Sequence, residues 1–418
     1  MNIKTTCSLR KRHMSRIFFP EHGRKLKKES GAFFYEGTAP DLVRFFLFCF
    51  GSYVGILLYY VIVAKAFSGF SYSACEWDCG WYISIASGGY DLRPHVGGAD
   101  NGQANWAFFP LFPLLLRAIH AVTGFSYQLS GVLLNNALFP VMAGSAALYL
   151  KARRPETNAY VTVLVFFASP FSLYFRVPFT ETLYGILLVA LLFLLRSERI
   201  WLASVVAAFF TASRPTAAPL LAVMGGTRMI AQCLHARLAG GDVRRLIVRA
   251  VMQCIALGLV GGVGLVAYML YLRGHVGDAL AFQHIEVAWG RHPGNPLANI
   301  WHGLRARDLS VASFLPGHEE SLTYFALACV VAAGLILWAF WSGLILEAGL
   351  VAVTLLLSTS TGLWSSTRYL YANPVTLMLV AALMQKMPRA TCTLILCLFS
   401  MVQALFVILW YQGSRFLM

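Results

Sequence analysis

The chain has 418 residues, of which 58% are hydrophobic and only 12% charged, with a mean hydropathy of +0.65. That balance lies far outside soluble globular usage and describes a polytopic membrane protein. A net charge of +15 would suggest nucleic acid in a soluble chain, but here the basic residues collect in short connections between apolar runs, the positive-inside pattern, and make no case for nucleic-acid binding.

Residues 1–42 contain RKRH (10–13) and RKLKK (24–28) and no apolar core, which predicts a basic tail on the cytoplasmic side. The apolar stretch from Val43 to Phe67 is long enough to span and lacks a small-residue cleavage pattern, so it reads as a first span and not as a cleaved signal peptide. Residues 43–418 are then a single all-α transmembrane domain with large outer loops at 68–125 and 273–320.

The first outer loop carries ACEWDCGWYISIASGGYD (74–91). Ser73 with Glu76 three residues on forms a capping box, predicting a helix from Ala74 that stops at Gly88-Gly89. Such a helix is roughly 21 Å long against a hydrocarbon core of about 30 Å, so it should lie at the membrane surface. Trp77, Trp81 and Tyr82 suit that depth, each an apolar ring with one polar atom. Glu76 is accounted for by the cap, whereas Asp78 is a charge at the edge of a low-dielectric slab with no obvious local partner. Cys75 and Cys79, four apart on this helix and without histidine or cysteine partners at ligand spacing, indicate neither zinc nor a disulfide framework. The other cysteines lie in apolar or cytoplasmic stretches and pack as small hydrophobes.

The polar section 91–105 leads to WAFFPLFPLLLRAIHAV (106–122), whose two prolines and Arg117 predict a second surface-lying or re-entrant segment. Spans follow at 126–150, 159–174 and 179–195, separated by KARR (151–154) and FRVPFTE (175–181). In residues 201–230 Arg214-Pro215 interrupts an apolar run, predicting two short spans that meet near the outer face, an arrangement tolerated where broken helices line a protein cavity. A basic cytoplasmic loop, a span at 250–272, the second outer loop and spans at 322–343, 345–361, 369–385 and 391–411 complete a count of about 11. No internal repeat of the inverted-transporter type is visible. With this topology the otherwise unexplained polar residues fall on one side: Asp78, Arg93, Arg176, Glu181, Arg214, His284, Glu286, Arg291 and Arg368. Arginines there favour a phosphate or carboxylate, and an acid can accept a hydroxyl proton.

WDCGWYISIASGGY (77–90) resembles the WD-x-x-WY-x-x-IA-x-x-GY motif of the PIG-V family of mannosyltransferases and their bacterial relatives, which are GT-C glycosyltransferases. FFPLFPLLLR (108–117), SPFSLYFRVPFTETLY (169–184), WLASVVAAFFTASRPT (201–216), GDALAFQHIEVAWGR (277–291) and STRYLYANP (366–374) are similar to that family in the same order, so the resemblance covers most of residues 70–375 and leaves out the basic tail. It implies a GT-C fold and transfer of mannose, with inversion, from a polyprenyl-phosphate carrier to a hydroxyl of a membrane acceptor on the non-cytoplasmic face. The expected location is the bacterial plasma membrane, or the endoplasmic reticulum membrane in a eukaryote.

Asp78 is then the general base. Arg368 is the first choice to hold the donor phosphate, against a snorkelling interfacial arginine, and Arg214 the second, against a role in capping carbonyls freed by Pro215. Glu181, His284 and Arg291 are further substrate-binding candidates, Glu181 against a plain helix-start role and the other two against solvated loop charge. Trp77, Trp81, Trp106 and Trp289 would stack on a sugar or anchor at the interface. Glu76 and Asp78 project about 200° apart if both lie on one helix, so no obligatory metal and no cofactor is expected. Two other readings stand beside this one: a GT-C transferase of another sugar, and a carrier or flippase for a lipid anion, against which large outer loops without cytoplasmic counterparts count.

Overall fold

The computed structural model describes residues 39–68, 75–239 and 243–417. Most of the basic tail, Ser73 and the chain leading to Cys75 lie outside these residues. Among the described residues the chain is helical, with no strand, and six helices are long and apolar enough to cross a membrane, consistent with a polytopic membrane protein.

In chain order the helices are α1 (Ala39–Ser68), α2 (Cys79–Gly88), α3 (Leu111–Thr123), α4 (Tyr127–Arg153), α5 (Ala159–Ala168), α6 (Glu181–Arg196), α7 (Ile200–Thr211), α8 (Ala217–Ala239), α9 (Val243–Gly261), α10 (Val263–Val276), α11 (Ala281–His284), α12 (Pro296–Ala306), α13 (Leu322–Trp341), α14 (Ile345–Thr359), α15 (Ser366–Tyr371), α16 (Pro374–Met384) and α17 (Arg389–Tyr411). α1 starts four residues before the expected boundary at 43, with Asp41 in its first turn, where the helix dipole favours an acid. α9 and α10 together make one 33-residue apolar segment from Arg244. The six spanning candidates are α1, α4, α8, α9 with α10, α13 and α17, and five further apolar helices are only 10–17 residues long.

The shorter helices are possible because they are enclosed. α6 buries Glu181, Leu183, Leu188, Leu191 and Leu192 among others, and packs between α4 and α7. α5 and α16 pack on each other and on α4. A ten-residue helix such as α5 reaches only about 15 Å, and the 3-10 turn Pro170–Phe175 continues it before the chain folds back into α6. Backbones approach closely where side chains are small, the usual device of apolar bundles. A Cβ on Gly264 would lie 1.9 Å from the Ala208 carbonyl oxygen, so only glycine lets α10 cross α7 there. The Thr211 hydroxyl donates to the Gly261 carbonyl at 2.6 Å, satisfying one acceptor released where α9 gives way to α10.

The break at Arg214-Pro215 is as the sequence predicts: α7 stops at Thr211 and α8 begins at Ala217. Leu111 at the start of α3 donates its N–H to the Ala212 carbonyl at 3.1 Å, and Ser213 Oγ donates to Phe210 O at 2.6 Å. Backbone and hydroxyl partners therefore satisfy these two carbonyls of the interrupted helix, and the Arg214 side chain is committed elsewhere.

Two expectations about the first loop are corrected. The helix starts at Cys79, not Ala74, with Asp78 in the N-cap position but making no side-chain cap. Residues 75–78 are not helical, and Trp77 has φ 53°, in the left-handed region. The departure from helix brings the Cα atoms of Cys75 and Cys79 to 5.1 Å, and the two form a disulfide. That distance falls within the ordinary range for a bridge. It also removes the argument that Glu76 and Asp78 diverge by a helical angle, since neither lies inside the helix.

Candidate functional site

Four segments converge on Asp78, and each is held by contacts of its own. α2 is fixed at its far end by Arg117 of α3, which donates from Nε to Ala86 O at 2.8 Å and from Nη2 to Ile85 O at 3.1 Å. Beyond it, Asp91 and Asn105 exchange backbone-to-side-chain bonds in both directions at 2.9 Å, and Trp106 Nε1 donates to Asp91 O at 2.7 Å. Trp106 is thus a buried clasp for the loop.

The turn before α6 is set by Asn135 of α4, whose buried amide donates to the carbonyls of Val177 and Phe179 at 2.5 and 2.8 Å. Thr182 Oγ1 closes the same turn on Phe175 O at 2.7 Å. Glu181 follows as the first residue of α6, where the dipole favours its charge. Arg214 comes from the α7–α8 break and Arg368 from the six-residue α15, whose preceding Ser365 has φ 61°.

These placements make a charged chain. Arg368 Nη2 lies 2.7 Å from Asp78 Oδ2, and Arg368 Nε lies 3.4 Å from Glu181 Oε1. Arg214 Nη2 donates to the same Glu181 oxygen at 2.6 Å. Glu181 therefore bridges two arginines, and the helix-start role does not exhaust it. Arg368 and Glu181 are almost wholly buried, whereas the Asp78 side chain is 25% exposed and is the most accessible member. The guanidinium of Arg368 lies 5.2 Å from the Phe179 and Tyr369 ring centroids, and that of Arg214 5.0 Å from Tyr369, so aromatic faces replace part of the lost hydration. Arg368 is not a snorkelling surface residue.

Arg291 extends the arrangement. It pairs with Glu286 at 3.2 Å and reaches Ser365 Oγ at 3.4 Å, at the start of the helix that carries Arg368 and Tyr369. Burial pushes the Glu286 carboxyl up, Arg291 partly offsets this, and the negative charge of Asp78 adds to the rise. Tyr369 is the member that reading the sequence missed, being one ordinary tyrosine in STRYLYANP. Its adjacency to Arg368 was the available signal.

Three buried atoms of this network have no hydrogen-bond partner, Glu181 Oε2 and Arg368 Nε and Nη1, although Nε keeps its ion-pair contact with Glu181. Native proteins rarely leave such groups unpaired, and a bound polar ligand is one of the usual completions. Three acids and three arginines leave the network electroneutral, so a phosphate arriving here must exchange partners with Asp78 or Glu181 and not simply add to a positive surplus.

The remaining candidates are placed as follows. Trp81 stacks on Phe108 at 5.9 Å and meets Trp289 edge-on at 5.8 Å. The Nε1 of Trp77 is buried without a partner. His284 is 64% exposed and bonded to Asp278 at 2.7 Å, which together with the Leu280 N–H holds the Asp278 carboxyl below its usual range. Among the described residues no hydrogen bond or ion pair joins His284 to the Asp78 network. Arg93 is exposed, and Arg176 is buried away from the network, 4.9 Å from the Tyr60 ring centroid. No group of three metal-ligating side chains occurs among the described residues.

The class these features define is an all-helical chain with apolar spanning helices and a buried ion network that reaches solvent at Asp78 and Glu286. No protein-family model matches it, and no curated protein does.

Proposed function

We propose that the chain is a GT-C-type glycosyltransferase, with about 11 membrane passes, that moves mannose from a polyprenyl-phosphate carrier to a membrane acceptor hydroxyl on the non-cytoplasmic face. The observation that carries the reading is the Asp78–Arg368 pair at 2.7 Å, in which a partly exposed acid is joined to a buried arginine that keeps an unpaired donor. An acid and an anion-binding group held this close are what a displacement at a sugar phosphate needs.

In this mechanism the donor enters from the bilayer, so its apolar tail stays in lipid. Its phosphate takes the Nη1 donor of Arg368 and loosens Arg368 from Asp78. Asp78 accepts the proton of the acceptor hydroxyl as that oxygen attacks the anomeric carbon from the face opposite the phosphate. The new C–O bond forms as the bond to the phosphate oxygen breaks, and the polyprenyl phosphate leaves with that electron pair. The configuration inverts. Arg214 holds Glu181 in place, and Glu181 holds Arg368.

Sidedness is supported by two features. The disulfide at Cys75–Cys79 suits an oxidising compartment, and Arg153, Arg154, Arg196 and Arg228 gather toward the other end of the helices, as positive-inside topology asks. Purified full-length protein supplied with radiolabelled short-chain polyprenyl-phosphate mannose and mixed membrane acceptors is the direct test. Asp78→Asn should stay folded and inserted while turnover falls at least about a hundredfold. Transfer by the variant near the wild-type rate rejects the mechanism, transfer only from another sugar donor reassigns the sugar, and loss of activity with chelator restored by magnesium or manganese rejects the metal-free scheme.

A further inference from the structure

A cavity of about 220 Å³ opens beside the ion network, between the loop after α11, helix α12 and the turn between α14 and α15. Its wall includes Trp289, Trp364, Arg291, Asn299 and His302, with Gly290 and Gly362 where the backbone itself forms the surface.

Three properties constrain what fits. The first is charge. The sole formally charged residue lining the cavity is Arg291, already paired with Glu286 at 3.2 Å, so the cavity offers no surplus charge and suits a neutral ligand. The second is the mixture of flat apolar faces with polar side chains. Trp364 is 45% exposed and stacks on no other ring among the described residues. Asn299 is fixed by donating from Nδ2 to Thr359 O at 2.8 Å, which leaves its carbonyl oxygen as an oriented acceptor, and His302 brings a donor and an acceptor with no protein partner among the described residues. An acyl chain would leave those polar groups unpaired, at a cost of about 1–3 kcal/mol each. The third is connection. Trp289 meets Trp81 edge-on at 5.8 Å, and Trp81 lies in the first turn of the helix that Asp78 opens. Arg291 reaches Ser365 Oγ at 3.4 Å, at the start of the short helix whose Arg368 grips Asp78.

We infer that this cavity is a subsite for one neutral pyranose ring, stacked by its C–H face on tryptophan and held by Asn299 and His302 through its hydroxyls. The inference rests on the glycosyltransferase reading and deepens it by naming where a sugar sits. The ring belongs to the acceptor or to the donor, and the chemistry of the wall is the same for both.

The test uses detergent-purified full-length protein and a panel of methyl glycosides, including methyl α-D-mannopyranoside and methyl β-D-glucopyranoside, with saturation-transfer NMR as the readout. At least one glycoside should receive saturation on its ring C–H protons, and Trp364→Ala should weaken that binding about tenfold. His302→Ala, also at an exposed position, should weaken it in the same direction and guards against a folding defect in the tryptophan variant. No saturation transfer from wild type, or binding by Trp364→Ala and His302→Ala equal to that of wild type, overturns the inference even if Asp78→Asn abolishes transfer. Glycoside binding that depends on Trp364, together with full transferase activity in Asp78→Asn, overturns the mechanism and keeps the subsite. In turnover, a raised KM of Trp364→Ala for the acceptor assigns the ring to the acceptor, and a raised KM for the donor assigns it to the donor.

Discussion

Two buried ion clusters sit at opposite ends of α4, and they are built differently. Asn135, which fixes the turn before Glu181, and Arg153 are eighteen positions apart on that helix, a rise of about 27 Å. At the Arg153 end, Glu347 receives Tyr149 OH and Arg153 Nε on one oxygen, both at 2.9 Å, and Arg153 Nη2 on the other at 3.3 Å. Both oxygens of that carboxylate are satisfied. At the other end Glu181 leaves Oε2 unpaired, Arg368 leaves Nη1 unpaired, and Asp78 is a quarter open to solvent. A closed cluster stabilises one arrangement of helices, whereas one with spare hydrogen-bonding capacity is suited to exchange partners with a ligand.

That contrast sets the expected sizes of perturbation. The largest is Asp78→Asn, which should lower turnover per folded molecule at least about a hundredfold. An equally large effect of Glu347→Gln on turnover per folded molecule would erase the distinction between the two ends. Glu347→Gln should instead cost roughly 3–5 kcal/mol of stability, because it strands a buried Arg153, with KM and kcat of the surviving protein near wild type. Chemical denaturation in detergent together with activity per folded molecule measures both.

Opening the Cys75–Cys79 bridge by Cys75→Ser with Cys79→Ser should cost at most about 2 kcal/mol, since the loop it closes is short. If the bridge holds Asp78 in place, the double variant loses kcat by a larger factor than it raises KM, and a reductant reproduces the effect in wild type only. Smaller again is a pH effect at Glu286. Its folded-state pKa is raised, so its contribution to stability is fully present below the unfolded value and is lost as pH rises through the folded one. Glu286→Gln should therefore flatten the fall in Tm that wild type shows between the ordinary glutamate range and neutral pH. The smallest effect belongs to His284→Ala, within about 0.5 kcal/mol, because that side chain is exposed and bonded only to exposed Asp278.

The helices were legible because apolar runs are long and their interruptions are chemically sharp. Arg214-Pro215 marks the α7–α8 break, and Lys151 to Arg154 marks the end of α4 within a residue or two. Asp78 was recognisable as a charge without a local partner at the edge of an apolar stretch, and Arg368, Arg214, Glu181 and Arg291 as charges that the topology gathers on one side. The first turn before α2 was misread for a physical reason. Its capping pattern is local, but the chain departs from helix at Trp77, and the bridge that closes there depends on the distance between two Cα atoms that sequence spacing does not report.

The sequence alone determined that this chain is helical and apolar, and where the break at Arg214-Pro215 falls, because periodicity, proline and charge act over a few residues. Only the tertiary structure decided which charges meet. Glu181 and Arg214 are 33 positions apart and Asp78 and Arg368 are 290 apart, and pairing across such separations follows from how α4, α6, α7 and α15 pack, not from any preference written near either residue.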